Sequence, residues 1–203
     1  MEQITPTDTC KTISGISEGY FAEQRSKFLS FALPVITSEE VKEKVDAFRK
    51  QHYSARHVCW AYVLGVGRTQ FRVNDDGEPS STAGKPILGV INSNELTDVL
   101  IVVVRYFGGV KLGASGLIAA YRTAAQEAIA HAEIIEKTVD EKITVTFAYP
   151  FLNGVMKVIK EDAPLIVSQQ FDMDCVMTLR IRVSAAEKLR EKLLKIESLR
   201  VVD

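Results

Sequence analysis

LTDVLIVVVRYFGGVKLGASGLIAAYRTAAQEAI, residues 96–129, divides into three parts in a fixed order. Residues 99–104 are an unbroken apolar run with four valines, the pattern of a strand buried on both faces. Residues 108–116, GGVKLGASG, hold four glycines. Residues 117–129 are alanine-rich, with good helix propensity. A strand that feeds a glycine loop opening a helix presents free backbone N–H groups, and the helix dipole favours an anion there. Arg105, Tyr106 and Lys111 stand at the strand's exit, and Ser115 is placed to cap the helix. The same glycines equally suit a tight junction that needs only positive φ. Two nucleotide-binding patterns fail here. Gly108 and Gly113 have the Walker A separation, but Ala114 stands where that motif needs lysine, and the GxGxxG spacing is absent.

Upstream, residues 1–15 are polar and read as loosely ordered. Residues 17–22 and 28–35 read as strands. Thr37 or Ser38 caps a helix whose Val41, Val45 and Phe48 recur at helical spacing as far as Gln51. Lys42, Lys44, Arg49 and Lys50 on its other face read as a solvated surface, with a nucleic-acid-facing helix as the lesser alternative. Residues 58–66 and 71–73 form two further strands across a glycine turn, and a short helix over 87–91 is capped near Ser81 or Thr82.

Beyond residue 137 the pattern changes. Strand, helix, two strands, helix and a short strand follow, which is the βαββαβ order of a ferredoxin-like sandwich. Asp172-Met173-Asp174 reads as its hairpin turn, and Ser184 with Glu187 as the capping box of the last helix. The expected architecture is α+β, with domains over 1–137 and 138–203.

The chain has 203 residues, 46% hydrophobic and 25% charged, enough for a core without staples. Its net charge is −1, so nucleic-acid binding would need a local basic patch. Cys10, Cys59 and Cys175 are odd in number and form no CxxC, which points to reduced thiols. No apolar run approaches the ~20 residues that span a bilayer, and residues 1–15 lack a signal core. A cytoplasmic protein without a membrane association is expected.

Two more constellations carry chemistry. Asp75, Asp76 and Glu78 cluster within four residues, followed by Ser80, Ser81, Thr82 and Lys85. Such a cluster could hold Mg²⁺ or do acid–base work, or it could be a solvated Asp-Gly turn. His57 and Cys59 share one face of a strand, but too few ligands exist for zinc. They read as a strand-end histidine and a buried small hydrophobe. No GxSxG elbow is present.

These residues resemble a known family. Asp75-Asp76-Gly77-Glu78-Pro79, Thr82-Ala83-Gly84-Lys85-Pro86, Arg105-Tyr106-Phe107-Gly108-Gly109-Val110-Lys111-Leu112-Gly113, Gly116-Leu117 and Ala120-Tyr121 closely resemble the signature of the IMPACT/YigZ family. Residues 55–61 resemble its AxHxCxA stretch, and Ser26-Lys27-Phe28 its early SRF. The C-terminal part resembles the small domain of bacterial YigZ proteins by pattern only. The resemblance implies a ribosomal protein S5 domain 2-like N-terminal fold and a ferredoxin-like C-terminal one, a pair similar to two late domains of the translocation elongation factor. Eukaryotic relatives regulate translation through an added RWD domain, for which this chain has no room, so their partner is not carried over. Some bacterial members bear a proline-dipeptidase label, but the metal ligands and nucleophile for it are missing. Ser80-Ser81 and Arg122 depart from the usual pattern, and Arg122 would add positive charge near the glycine loop.

The leading expectation is a non-enzymatic binding protein associated with RNA, the ribosome or another translation component. The alternative is an enzyme or binder acting on a small phosphorylated or anionic ligand. Neither names a cofactor, and no metal is assigned. The candidate ligand-binding residues are Asp75, Asp76, Glu78, Thr82, Lys85, Arg105, Tyr106, Gly108, Gly109, Lys111, Gly113, Ser115 and Gly116. The acidic turn and the glycine loop are expected to face each other.

Overall fold

A computed structural model describes residues 8–172 and 174–202. The strand of residues 99–104 is the middle of everything around it. As β6 (Val99–Tyr106) it is the central member of a five-stranded antiparallel sheet. The sheet order is β2 (Ser17–Glu23), β3 (Ser26–Pro34), β6, β4 (His57–Leu64) and β5 (Gln70–Asn74). All six apolar residues from Val99 to Val104 are 0% exposed, because both faces of the sheet are covered. On one face α1 (Ser38–Gln51) sets Val41 and Val45 against Leu100, Val102 and Val104. On the other, α2 (Gly84–Ser93) and α3 (Gly113–Ala130) pack on Val99, Ile101 and Val103. Burial of one such side chain contributes roughly 1.5–3 kcal/mol, so the run is a large share of the core.

The α+β expectation holds. Residues Cys10–Lys137 form one compact unit. The other takes the described residues from Thr138 onward together with Asp8 and Thr9. It runs β8 (Asp140–Ala148), α4 (Leu152–Asp162), β9 (Leu165–Gln170), β10 (Asp174–Arg182), α5 (Val183–Leu193) and β11 (Arg200–Val202). Its antiparallel sheet has the order β11-β8-β10-β9, and Val145, Met177, Leu189 and Leu193 lie in its core. This is the expected βαββαβ succession.

Three local expectations are corrected. Residues 8–15 are not loose. β1 (Thr9–Ile13) pairs with β7 (Ile134–Thr138), a strand that alternation did not reveal, and Thr12 and Ile13 are buried. Ser184 does not cap α5. It lies in the first turn, and both its backbone N–H and its hydroxyl donate to the Asp8 carboxylate, at 2.7 and 2.5 Å. Neither Ser81 nor Thr82 caps α2, whose capping carboxylate comes from Asp75. Residues 1–7 and Met173, the middle of the hairpin turn read from sequence, lie outside the described residues. Among the described residues no helix is long and apolar enough to cross a membrane.

Candidate functional site: a cleft between the acidic turn and the glycine loop

The DDGEP turn is built by three carboxylates that do three different structural jobs. Asp75 reaches forward to α2. Its Oδ1 accepts from the backbone N–H groups of Ala83 (3.0 Å) and Gly84 (2.8 Å), and its Oδ2 from Ser81 (2.8 Å). These are orphan donors of a helix start, and a charged acceptor suits the positive end of the dipole. Burial pushes the Asp75 carboxyl up, but the donors from Gly84, Ser81 and Ala83 with the charge of Lys85 outweigh it, so its pKa lies below the ordinary value. Asp76 reaches back. Its carboxylate accepts from the Val58 N–H at 2.6 Å and pairs with Arg49 at 2.7 Å. Asp76 and Gly77 both have positive φ, which an Asp-Gly pair tolerates.

Glu78 goes inward. Its Oε1 accepts from Arg105 at 2.6 Å and from the Tyr121 hydroxyl at 2.8 Å, with His57 Nε2 at 3.7 Å. Both members of the Arg105–Glu78 pair are about 95% buried. The guanidinium also donates to the Ser26 hydroxyl at 3.3 Å and lies over the rings of Phe28 and Phe107. Burial pushes the Tyr121 and Cys59 hydroxyl and thiol pKa values up, so both stay neutral donors. The His57–Cys59 stretch clamps the turn's backbone. His57 Nδ1 donates to the Asp76 carbonyl at 2.8 Å, and Cys59 Sγ to that of Asp75 at 3.1 Å. The carboxylates are thus engaged in holding the fold, and among the described residues no group of three or more His, Cys, Asp or Glu converges to hold a metal.

Neutralising one cap tests this assignment. Asp75→Asn should lower stability at pH 7 by about 1–2 kcal/mol, the usual value of an N-terminal cap. The sign of the pH dependence follows from the depressed pKa. Asp75 stabilises the fold above its unfolded value of about 3.9, and that contribution disappears as pH falls through the folded value. Urea titrations should therefore show the deficit of the variant at pH 7 closing below about pH 4.

The glycine loop meets this turn. Glu78 and Pro79 on one side, and Lys111, Leu112, Gly113 and Ala114 on the other, line a cleft of about 300 Å³ with Arg105, Phe107 and Leu117. α3 begins there without a side-chain cap, so Ser115 does not take that role and sits exposed in the first turn. Lys111 is exposed and has no ion-pair partner among the described residues. Of the sequence candidates, Glu78, Arg105, Lys111 and Gly113 line the cleft. Gly108 and Gly109 shape the loop beside it. Asp75, Asp76 and Thr82 support the turn from behind, Thr82 by donating to the Pro79 carbonyl at 2.7 Å. Lys85 is exposed on α2, and Gly116 packs on Leu112.

Tyr106 is placed elsewhere. It follows Arg105 on a strand, so it points to the opposite face, where its hydroxyl meets His52 Nδ1 at 2.8 Å. Arg122 lies nine residues beyond the start of α3, roughly 13 Å along the axis, and adds no charge at the loop. Phe107, Pro79, Leu112, Ala114 and Leu117 also line the cleft and are not signalled by their chemistry. The signal for them was their position inside the same motif stretches.

Comparison with known proteins follows this geometry. The Impact N-terminal domain model matches residues 24–129, which include β3 through α3. The IMPACT family member YvyE of Bacillus subtilis is 36% identical over 155 residues, covering 76% of this chain and 71% of its own. The IMPACT family member YigZ of Escherichia coli is 31% identical over 166 residues, covering 81% and 80%. The crystal structure of a hypothetical protein superposes with a TM-score of 0.71 at 26% identity, covering 97% of both chains.

Proposed function

This chain belongs to the IMPACT family, and from that premise we propose that it is a non-enzymatic, translation-linked binding protein that grips a phosphate group of RNA in the cleft between acidic turn and glycine loop. The observation that carries this reading is the uncapped start of α3 beside Lys111. Free N–H groups and a helix dipole attract an anion, and a lysine adds a mobile point charge. Arg105 contributes shape rather than free charge, because Glu78 already pairs with it. Phosphate contacts of this kind position a partner without reading its sequence. The family's eukaryotic branch, as the resemblance implies, acts on translation, which supports the choice of partner class.

Fluorescence anisotropy of a short labelled RNA across about 50–200 mM salt tests the reading. Affinity should fall steeply with salt, and Lys111→Ala should reduce the log–log slope by about one. Absence of binding at the lowest salt would sink the proposal.

A cleft of about 300 Å³ is at the lower end of small-molecule sites, which favours a phosphorylated metabolite as the second reading. A ligand at ~100 times its dissociation constant would add about 2.7 kcal/mol of stability in a thermal-shift screen. Silence across phosphorylated compounds together with salt-dependent RNA binding selects the first reading.

A further inference from the structure

The face of the sheet opposite α2 and α3 carries a second, larger depression that nothing above uses. It lies between α1 and the β4–β5 pair and encloses about 510 Å³. Trp60 and Tyr62, two residues apart on β4, project into it with near-parallel rings, 5.9 Å between centroids and 12° between planes. Arg72 lies directly opposite Tyr62 on the edge strand β5. Lys42, from α1, faces the same groove, as do Glu39 and Asp46.

We infer that this groove is a nucleotide-binding site, in which the base stacks on the Trp60–Tyr62 pair and the phosphate is held by Arg72 and Lys42. Four observations support the assignment. The volume lies inside the usual range for small-molecule sites. A half-buried tryptophan usually satisfies its indole N–H, yet Trp60 Nε1 is covered and has no partner among the described residues. The near-parallel Trp60 and Tyr62 rings, rather than this N–H, are what the groove presents to a ligand. Arg72 and Lys42 have no carboxylate partner among the described residues, whereas Arg49 at the same groove is engaged by Asp76. The lining is also mixed in sign. A bare polyanion would be repelled by Glu39 and Asp46, but a nucleotide offers exocyclic amines and ribose hydroxyls for those carboxylates to accept from, beside a phosphate for the cations. Base–aromatic stacking tolerates any base, so the groove would select nucleotides as a class.

The source is either a free nucleotide or an unpaired nucleotide within an RNA chain. Trp60 is the only tryptophan of the protein, so its emission reports this groove alone. The full chain is titrated with AMP, with UMP, with ribose 5-phosphate and with a single-stranded RNA octamer. Saturable quenching by AMP and UMP, and much weaker quenching by ribose 5-phosphate, is the expected result. An octamer at least about tenfold tighter than the mononucleotides assigns the site to RNA, and equal affinities assign it to free nucleotides. Tyr62→Leu should weaken binding at least about fivefold. Arg72→Ala, a change at an exposed position of the edge strand, should weaken AMP and, in a parallel titration, leave adenosine unchanged. No saturable quenching, quenching by ribose 5-phosphate equal to that by AMP, or an Arg72→Ala variant that binds AMP like the parent overturns the inference. A silent Trp60 alongside salt-dependent RNA anisotropy removes the groove and leaves the cleft standing.

Discussion

Glu78→Ala should destabilise the protein by about 3–5 kcal/mol, the cost of leaving a buried cation without its counter-ion. Arg105 would keep one 3.3 Å contact to the Ser26 hydroxyl and the faces of Phe28 and Phe107, none of which supplies a negative charge. The Tyr121 hydroxyl would lose its acceptor as well. Glu78→Gln keeps a carbonyl oxygen for both donors and removes only the charge, so its deficit should be clearly smaller. Urea unfolding at pH 7 measures all of these. The informative control is the double variant Glu78→Leu with Arg105→Met. A buried ion pair replaced by apolar groups of similar volume is often neutral, so the double variant should recover most of the stability that Glu78→Ala loses. A Glu78→Ala deficit below about 1 kcal/mol would mean that the pair behaves like an exposed one and does not pin the turn.

The pair matters for more than stability. Glu78 is the only carboxylate of the DDGEP turn that lines the cleft, and Arg105 is anchored by it at the end of the central strand. Removing the charge should therefore loosen the cleft wall. The order of effects on RNA affinity should follow the order of effects on stability, with Glu78→Gln intermediate. A Glu78→Gln variant that is stable but binds like Lys111→Ala would instead indicate that the carboxylate itself contacts the partner.

What the chain discloses about itself depends on how local the physics is. The central strand is legible because a six-residue apolar run requires cover on both faces. The α1 cap is legible because Thr37 accepts from Glu40, three residues away. The caps of α2 and α5 are not, because Asp75 and Asp8 stand 9 and 176 residues from the groups they satisfy. The face that Tyr106 takes is not legible for another reason. An unbroken apolar run has no period-two phase, so it cannot say which of Arg105 and Tyr106 faces which side. The meeting of acidic turn and glycine loop was legible only through motif resemblance. Spacing could not supply it, since 27 residues separate Glu78 from Arg105. The Trp60–Tyr62 groove is not legible because a strand aromatic two residues from another is the ordinary content of a core.

Gly108→Ala should cost about 3 kcal/mol, at the upper end for overpacking, and this follows from a close approach rather than from backbone torsion. A Cβ at Gly108 would lie 2.1 Å from the Arg25 carbonyl carbon, 2.3 Å from its oxygen and 2.4 Å from the Ser26 nitrogen. All three are backbone atoms, so no side-chain rotation relieves the clash. Gly109 next to it is the control. It has φ +88° but open space around it, so alanine there should cost only the strain of a left-handed residue, roughly 1–2 kcal/mol. Urea midpoints of the two variants should differ in that order, and equal deficits would contradict the close-approach account. The contact at Gly108 also has a functional consequence. It brings the loop's N–H to the Ser26 hydroxyl at 3.3 Å, the same oxygen that accepts from Arg105. Ser26 is fully buried, so this oxygen ties the glycine loop to the guanidinium at the cleft wall. A residue larger than glycine at 108 separates the two, and Lys111 moves with the loop. Gly108→Ala should therefore weaken RNA binding even under conditions where the variant remains folded, while Gly109→Ala should leave it within about twofold of the parent, a change of only about 0.4 kcal/mol.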